Sequence, residues 1–278
     1  MSKIFFIAEA GKNFITSQSL SSSSEALFNA MALSFRAKRA GADAVKFQTH
    51  VLSDEKMFRE ESRHSWISRN ENLTPLKEFW IPLKEYCDSI GIEFMTTPMS
   101  RLAAEKVRDL VKRWKIGSGS ATDNSLLDFI NDDKKPVILS TGMSTQKQVD
   151  EALKRLNNVS VSLLYCKSLY PCPVEKINWY VMDSMRRVYK RPIGFSDHTV
   201  EITTPMHAVI KGEAVIIEKH FTIDKTSWGP DHKFSLNPDE LKLAIGLVRD
   251  YEQYGEDENI LIIPDEEEIK LWRTFRKL

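Results

Sequence analysis

The sequence lacks the features that mark disulfide-rich proteins, membrane or secreted proteins, and strongly basic nucleic-acid-binding proteins. Its 278 residues contain three cysteines, Cys87, Cys166 and Cys172, an odd and sparse set that makes no disulfide framework. No apolar run approaches the roughly 18 residues of a membrane span, and the first residues indicate a strand rather than a secretory signal. Lys plus Arg equals Asp plus Glu at 39 each, so there is no global basic field. We therefore expect a cytoplasmic protein with no nucleic-acid or membrane partner, in which any anion site is local.

The chain does contain a regular alternation of short β-branched runs and helical patterns. Hydrophobic residues at 42% are enough for a large core. Eight strands alternating with helices favour one closed parallel α/β barrel, and an open doubly wound sheet is the alternative. The predicted strands cover residues 4–9, 44–48, 93–97, 114–118, 137–141, 161–166, 192–196 and 214–219.

Helix signals lie between these strands. Residues 22–25 have capping-box spacing, and Leu27, Met31 and Phe35 recur at four-residue intervals before Gly41 ends the helix. Thr74-Pro75 offers an N-cap and a proline at the first helical position. Further helices are predicted over residues 102–111, 125–131, 146–156, 177–187, 203–211 and 238–254.

The connection at residues 50–73 is polar and longer than most connections within a domain. This composition suits a lid or an oligomer contact, and a solvated excursion with no role is the alternative. Its cationic and aromatic residues are Arg59, Arg63, His64, Trp66 and Arg69.

Polar residues concentrate where the predicted strands end, which is where a parallel barrel carries its reactive groups. His198 and His220 follow adjacent strands, and two neutral imidazoles there could hold a divalent metal with other positions open. The alternative is a pair of hydrogen-bonded core histidines. Lys46 and Lys115, with strand-end hydroxyls and glycines, predict a site for a small phosphorylated acid.

Eight segments of the sequence resemble the sialic acid synthase (N-acetylneuraminate synthase) family, in family order. The resemblance implies a TIM (β/α)8 barrel. It also implies a transferase that condenses phosphoenolpyruvate with an N-acetylated amino sugar to form a nine-carbon 2-keto sugar acid of the sialic, legionaminic or pseudaminic type, with release of phosphate. The segments are residues 7–11, 41–49, 115–119, 136–145, 170–173, 194–199, 215–222 and 229–231.

The resemblance also implies roles for individual residues. His198 and His220 would hold a divalent ion, Mn²⁺ or Mg²⁺, that polarises the aldehyde of the open-chain sugar. Lys46 and Lys115 would bind the acidic end of phosphoenolpyruvate, and Glu9 would be the carboxylate near the reacting carbons. The hydroxyls around the phosphate would be those of Thr97, Ser118, Ser140, Ser168 and Ser196, and the residues facing the sugar would be Gln48, Tyr170 and Asp231.

Three positions depart from the family pattern. Ser120 stands where an acidic residue usually follows Lys-x-Gly-Ser-Gly, and Asp123 is a candidate replacement for the lost carboxylate. The usual Asn-His after the first strand is Asn13-Phe14 here, which alters the sugar side. The usual His-Cys-Thr at strand six is Tyr165-Cys166-Lys167, which adds a cation.

We expect residues 1–260 to form the synthase barrel and residues 261–278 a C-terminal helical tail or linker. Family members generally continue into an antifreeze-like domain that reaches across a homodimer, and this sequence stops about where that linker begins. It would then be a barrel without that domain, either cut from a longer protein or a barrel-only member. A catalytically weakened sugar-acid binding or scaffold protein and a barrel metal hydrolase are the alternatives to a synthase.

Overall fold

The computed structural model describes residues 3–55, 61–253, 266–268 and 270. Within them eight parallel strands pair in the order β3-β2-β1-β8-β7-β6-β5-β4, and the two end strands lie in contact, which brings the sheet round into a barrel. The predicted α/β barrel is confirmed, and each predicted strand matches an observed one to within about two residues at either end. The strands are β1 (Phe5–Gly11), β2 (Ala44–Thr49), β3 (Glu93–Pro98), β4 (Trp114–Ile116), β5 (Val137–Ser140), β6 (Val161–Tyr165), β7 (Ile193–Asp197) and β8 (Ile216–His220).

Helices follow the strands along the chain. Among the described helices, none is both long enough and apolar enough to cross a bilayer. Of the expected tail at 261–278, only residues 266–268 and 270 lie within the described part. The α-helices are α1 (Ser23–Ala40), α2 (Glu61–Leu73), α3 (Ile81–Ser89), α4 (Arg101–Val107), α5 (Asn124–Asp133), α6 (Gln146–Arg155), α7 (Tyr180–Tyr189), α8 (Thr204–Gly212) and α9 (Pro238–Gln253).

The ends of α1 agree with the sequence signals, and its predicted apolar stripe agrees in part, since Leu27 and Met31 pack against the core. Ser22 accepts a hydrogen bond from the Glu25 N–H, and Gly41 ends the helix with a φ of 99°. The residues buried against the barrel include four on one face, Ala26, Ala30, Leu33 and Ala37. Phe35, expected in the apolar stripe, is 44% exposed because small alanines form the contact face instead.

Residues 50–74 contain one helix that the sequence did not predict, and one prediction there was wrong. The second half of the polar connection is the helix α2. Its helical hydrophobic pattern is not apparent in the sequence because the polar residue Asn70 shares its buried face with Ile67 and Leu73. Thr74 does not cap the next helix, since its hydroxyl donates to the Asn70 carbonyl and a π-helical turn precedes α3. Arg59 and the side chain of Arg63 lie outside the described residues.

The two-residue period of the strands sets the composition of the barrel interior. One layer of the interior is apolar, and a polar residue follows two positions later on most strands, toward the carboxyl end. The apolar layer is Ile7, Ala44, Met95, Ile138, Leu164 and Ile216. Two residues further along lie Glu9, Lys46, Thr97, Ser140, Cys166 and Glu218.

Candidate active site

The centre of the barrel mouth is a cluster of two lysines and two carboxylates, each nearly inaccessible to solvent. Lys46 forms an ion pair with Glu9 and donates a 3.0 Å hydrogen bond to the Thr97 hydroxyl. Glu218 Oε2 lies 3.6 Å from Lys46 Nζ and 3.7 Å from Lys115 Nζ. The four charges cancel, which is the condition under which ammonium groups can be buried.

The environment moves the pKa values of these groups apart. Burial raises the pKa of Glu9 to about 6, against the opposing charge of Lys46. Burial would also raise the pKa of Glu218, but the charges of Lys115 and Lys46 outweigh it and lower that pKa to about 2. Burial lowers the pKa of Lys115, while Glu218 and Glu9 outweigh burial and raise that of Lys46. Two carboxylates with separated pKa values can take different roles in proton transfer.

A cradle of hydroxyl groups lies on the β4–β6 side of the mouth. A Cβ atom on Gly142 would lie 2.4 Å from Ser168 Oγ and 2.7 Å from both Ser118 Oγ and Cys166 Sγ. The missing side chain therefore keeps this space open. Ser168 Oγ is buried with no hydrogen-bond partner among the described residues, so it is available to an anion. On the adjoining strand, the Ser140 hydroxyl accepts a 2.8 Å hydrogen bond from Lys115.

The two strand-end histidines lie side by side at the ends of the neighbouring strands β7 and β8. The ring centroids of His198 and His220 are 5.5 Å apart. His198 Nδ1 lies 2.6 Å from the Lys167 carbonyl, and its Nε2 is 3.4 Å from the Ser196 hydroxyl. Burial lowers the pKa of each imidazole to about 4, so both are neutral at neutral pH.

These two imidazoles fit a divalent metal ion. A carbonyl accepting the Nδ1–H of His198 leaves Nε2 with a free lone pair, an arrangement common to metal-binding histidines. His220 Nδ1 is buried and has no hydrogen-bond partner within the part of the chain that the structure describes. No group of three or more His, Cys, Asp or Glu in the described part of the chain could hold a metal. Two protein ligands would leave further coordination positions for a substrate.

The remaining predicted residues border the space beside the histidines. The Tyr170 ring lies over His198 at 4.3 Å between centroids and is 6.0 Å from His220. A Cβ atom on Gly11 would lie 3.2 Å from Glu9 Oε1, 3.4 Å from Gln48 Nε2 and 3.6 Å from Asp231 Oδ2. The structure therefore brings every predicted site residue to the carboxyl end of the barrel.

The three departures from the family pattern have different structural outcomes. Asp123 is occupied as the N-cap of α5, where it accepts from the Leu126 N–H, so the geometry argues against its replacing the acidic residue lost at Ser120. Phe14 is fully buried, with its ring centroid 5.0 Å from that of Phe79 in the aromatic core. Lys167 is exposed and contributes its backbone carbonyl to His198.

Sequence reasoning missed Glu218, although it lies two residues before His220. Its Oε1 accepts a 3.1 Å hydrogen bond from Ser196, and its Oε2 faces both lysines. The strand period gives the available signal, because residues 218 and 220 of one strand must face the same side. Cys166 was missed in the same way, two positions after Leu164.

The comparisons with known proteins decide the family. The NeuB family profile matches residues 35–259. The chain belongs to the NeuB family. A relative in Legionella pneumophila, N,N'-diacetyllegionaminic acid synthase, is 35% identical over 266 residues, which cover 89% of this chain and 72% of the relative. An uncharacterized protein of Methanocaldococcus jannaschii is 38% identical over 217 residues, 77% of this chain. The match spans only 63% of that relative's length.

Solved structures share this fold. The N-acetylneuraminic acid synthetase of Leptospira borgpetersenii, solved with citrate, superposes with a TM-score of 0.80 at 30% identity, covering 100% of this chain and 94% of that one. A truncated 3-deoxy-D-arabino-heptulosonate 7-phosphate synthase of Thermotoga maritima, at 16% identity and a TM-score of 0.61, shares the fold. The resemblance read from the sequence motifs is confirmed at the level of the family.

Proposed function

We propose that this chain condenses phosphoenolpyruvate with an N-acetylated amino sugar and releases phosphate, forming a nine-carbon 2-keto sugar acid. The main support for the proposal is that two buried ammonium groups, the hydroxyl cradle and two neutral imidazoles all lie at the same end of the barrel. The names of the NeuB relatives, which include legionaminic, pseudaminic and N-acetylneuraminate-9-phosphate synthases, support the same chemistry.

The anion half of the site would bind phosphoenolpyruvate. Lys115 supplies a cation beside the Ser140 hydroxyl, and Gly142 leaves room for phosphate oxygens between Ser118 and Ser168. Thr97, held by Lys46, and Ser196, held by Glu218, add hydroxyls around the same charged centre. Charged hydrogen bonds in a buried site are stronger than in water, so these groups orient the donor as well as bind it.

The acceptor half would bind the sugar beside the histidines. His198 and His220 would hold Mn²⁺ or Mg²⁺, and the bound ion would supply Lewis-acid polarisation of the aldehyde. Gln48, Asp231 and Tyr170 border this space and would orient the sugar hydroxyls.

The reaction requires charge stabilisation at two atoms. As carbon 3 of phosphoenolpyruvate bonds to the aldehyde carbon, negative charge develops on the aldehyde oxygen, which takes up a proton, and positive charge develops at carbon 2. Water adds to carbon 2 with loss of one proton, and the carbon–oxygen bond to phosphate then breaks as the second proton of that water leaves, giving the 2-keto group and free phosphate. Glu9 is the candidate acceptor of the proton from that water, since its pKa of about 6 suits proton transfer near neutral pH. Lys46 holds the Glu9 carboxylate in place.

We propose that residues 1–260 carry this chemistry in the cytoplasm, and that the protein is a homodimer, as the family resemblance implies. Sedimentation velocity tests the dimer directly. A single species at the mass of one chain would refute it.

The test of the function is phosphate release from phosphoenolpyruvate over a panel of N-acetylated hexosamines with Mn²⁺ present. We expect acceptor-dependent release and a sugar acid of the summed carbon count. Sugar-acid binding with no turnover would favour the scaffold alternative, and hydrolysis without phosphoenolpyruvate would favour a metal hydrolase.

His220→Ala tests the metal ligands within the same assay. It should abolish metal-dependent turnover and weaken Mn²⁺ binding, measured from the free-ion electron paramagnetic resonance signal, with an unchanged circular dichroism spectrum. His207→Ala is the matched control, because His207 is an exposed histidine on α8. Full activity and Mn²⁺ binding in His220→Ala would remove the metal role.

A further inference from the structure

Three loops on the acceptor side of the mouth are tied together by contacts that the proposed chemistry does not use. They follow β1, β2 and β8, which are neighbours in the barrel. Trp66 on α2 stacks on Trp228 of the loop after β8, with ring centroids 4.2 Å apart and planes at 18°. The backbone N–H of Trp228 donates to the backbone carbonyl of Thr16 in the loop after β1.

Arg69, one helical turn from Trp66, completes the connection. Its guanidinium donates to the carbonyls of Ser17 at 3.1 Å and Gln18 at 2.7 Å, and also to that of Leu20. The same guanidinium lies 5.4 Å from the Trp228 ring centroid, within range of a cation–π interaction. We call Trp66, Arg69 and Trp228 the clasp.

The clasp leads directly to Asp231. A Cβ atom on Gly229, which has a φ of 151°, would lie 3.6 Å from the edge of the Trp66 ring. The chain then passes through Pro230 to Asp231, whose carboxylate lies near Glu9 and Gln48. On the far side, His232 is anchored by a 2.7 Å hydrogen bond between its Nδ1 and the Thr222 hydroxyl. Asp231 is thus held between an aromatic contact and a buried histidine.

We propose that Trp66 is a positioning residue that holds the loop of Asp231 against the bound acceptor sugar. This inference rests on the proposed function, in which Asp231 faces the sugar. Trp66 acts through the loop and is not assigned a substrate contact. Because the clasp lies on the β8–β1–β2 side and the hydroxyl cradle on the β4–β6 side, loosening it should affect the acceptor and leave the phosphoenolpyruvate site intact.

The kinetic test compares Trp66→Ala, Trp66→Phe and the control Phe28→Ala, which removes an aromatic side chain that is 71% exposed on α1. With N-acetylmannosamine as acceptor, Trp66→Ala should raise its KM about tenfold, equivalent to about 1.4 kcal/mol, and change the KM for phosphoenolpyruvate by less than about twofold. Trp66→Phe, which keeps a stacked ring, should recover most of the loss. Equal effects on both substrates would overturn the proposal.

A second measurement does not require turnover. Amide hydrogen exchange over residues 226–232 should be faster in Trp66→Ala than in the wild type and unchanged over α8. Unchanged exchange in residues 226–232 would overturn the clasp. If no acceptor in the panel is turned over, the proposed function fails, and the exchange result still decides whether Trp66 holds this loop.

Discussion

The ion pair between Asp197 and Lys219 joins β7 and β8 one residue before each histidine of the site. Its oxygen and nitrogen are 2.7 Å apart, and both side chains are completely buried. Lys219 also donates to the carbonyl of Thr199 at 2.7 Å and to its hydroxyl at 3.1 Å, so the ammonium group has three acceptors. Since Ser196 and Glu218 face the mouth, this pair lies on the other side of the barrel wall.

Lys219→Met should destabilise the protein by about 3–5 kcal/mol, the cost of breaking a buried ion pair from one side. The substitution keeps most of the side-chain volume but leaves the Asp197 carboxylate with the Thr199 N–H, at 2.8 Å, as its remaining donor in the described part of the chain. Domains are stable by about 5–15 kcal/mol in total, so this loss is a large fraction of the whole.

Urea unfolding followed by circular dichroism measures the change. The double variant Asp197→Asn, Lys219→Met should recover about 2 kcal/mol or more, because it removes the unpaired charge. Lys84→Met, at the partly exposed pair Lys84–Asp88 on α3, is the matched control and should cost about 0–1 kcal/mol. A loss below about 1 kcal/mol for Lys219→Met, or no recovery in the double variant, would refute the reasoning.

Three further predictions concern the mouth. Lys115→Met should raise the KM for phosphoenolpyruvate at least about tenfold and the KM for the acceptor by less than about twofold. Steady-state kinetics with both substrates varied measure this, and an equal rise in the two KM values would contradict it. Gly142→Ala should also weaken phosphoenolpyruvate binding, because its Cβ would lie 2.4 Å from Ser168 Oγ. In the control Gly246→Ala on α9, the new Cβ would meet no described atom within 4 Å beyond its chain neighbours and the backbone of its own helix. Burial lowers the pKa of His220 from 6.5 to about 4, so the unfolded state binds the proton first and this histidine costs stability as pH falls from about 6.5 to about 4. His220→Gln should therefore show a shallower loss of unfolding free energy over that interval, and an unchanged slope would be evidence against the shift.

The fold was predictable because barrel strands are buried on both faces. Each one therefore forms a short, mostly apolar, β-branched run that stands out between amphipathic segments. The helix α2 could not be recognised on that basis, since its buried face carries Asn70 and its partly buried residue Trp66 stacks on another loop as well as packing against the core. Contacts between loops leave no periodic signal in a sequence, so the clasp was visible only in three dimensions.

The candidate site was predictable to the extent that strand ends must converge. The parallel arrangement places residues such as Lys46, Lys115 and His198 at one edge without further information. The partners of these residues depend on register, which the sequence does not state. The pairing of Ser196 with Glu218 across β7 and β8, for example, follows from the register of those strands.

The two buried lysines of the mouth differ in how far their charges are compensated, and this difference indicates which of them would bind an anion more strongly. Lys46 is engaged by Glu9 and lies 3.6 Å from Glu218, so its charge is already compensated and its pKa is raised. Lys115 has one carboxylate within 4 Å in the described part of the chain, Glu218 at 3.7 Å, and burial lowers its pKa. The charge of Lys115 is therefore less compensated than that of Lys46, so an anion is stabilised more by Lys115. Ser140 and the open space at Gly142 lie beside this lysine. Lys46 instead holds Glu9, whose pKa of about 6 would let that carboxylate take up a proton near neutral pH.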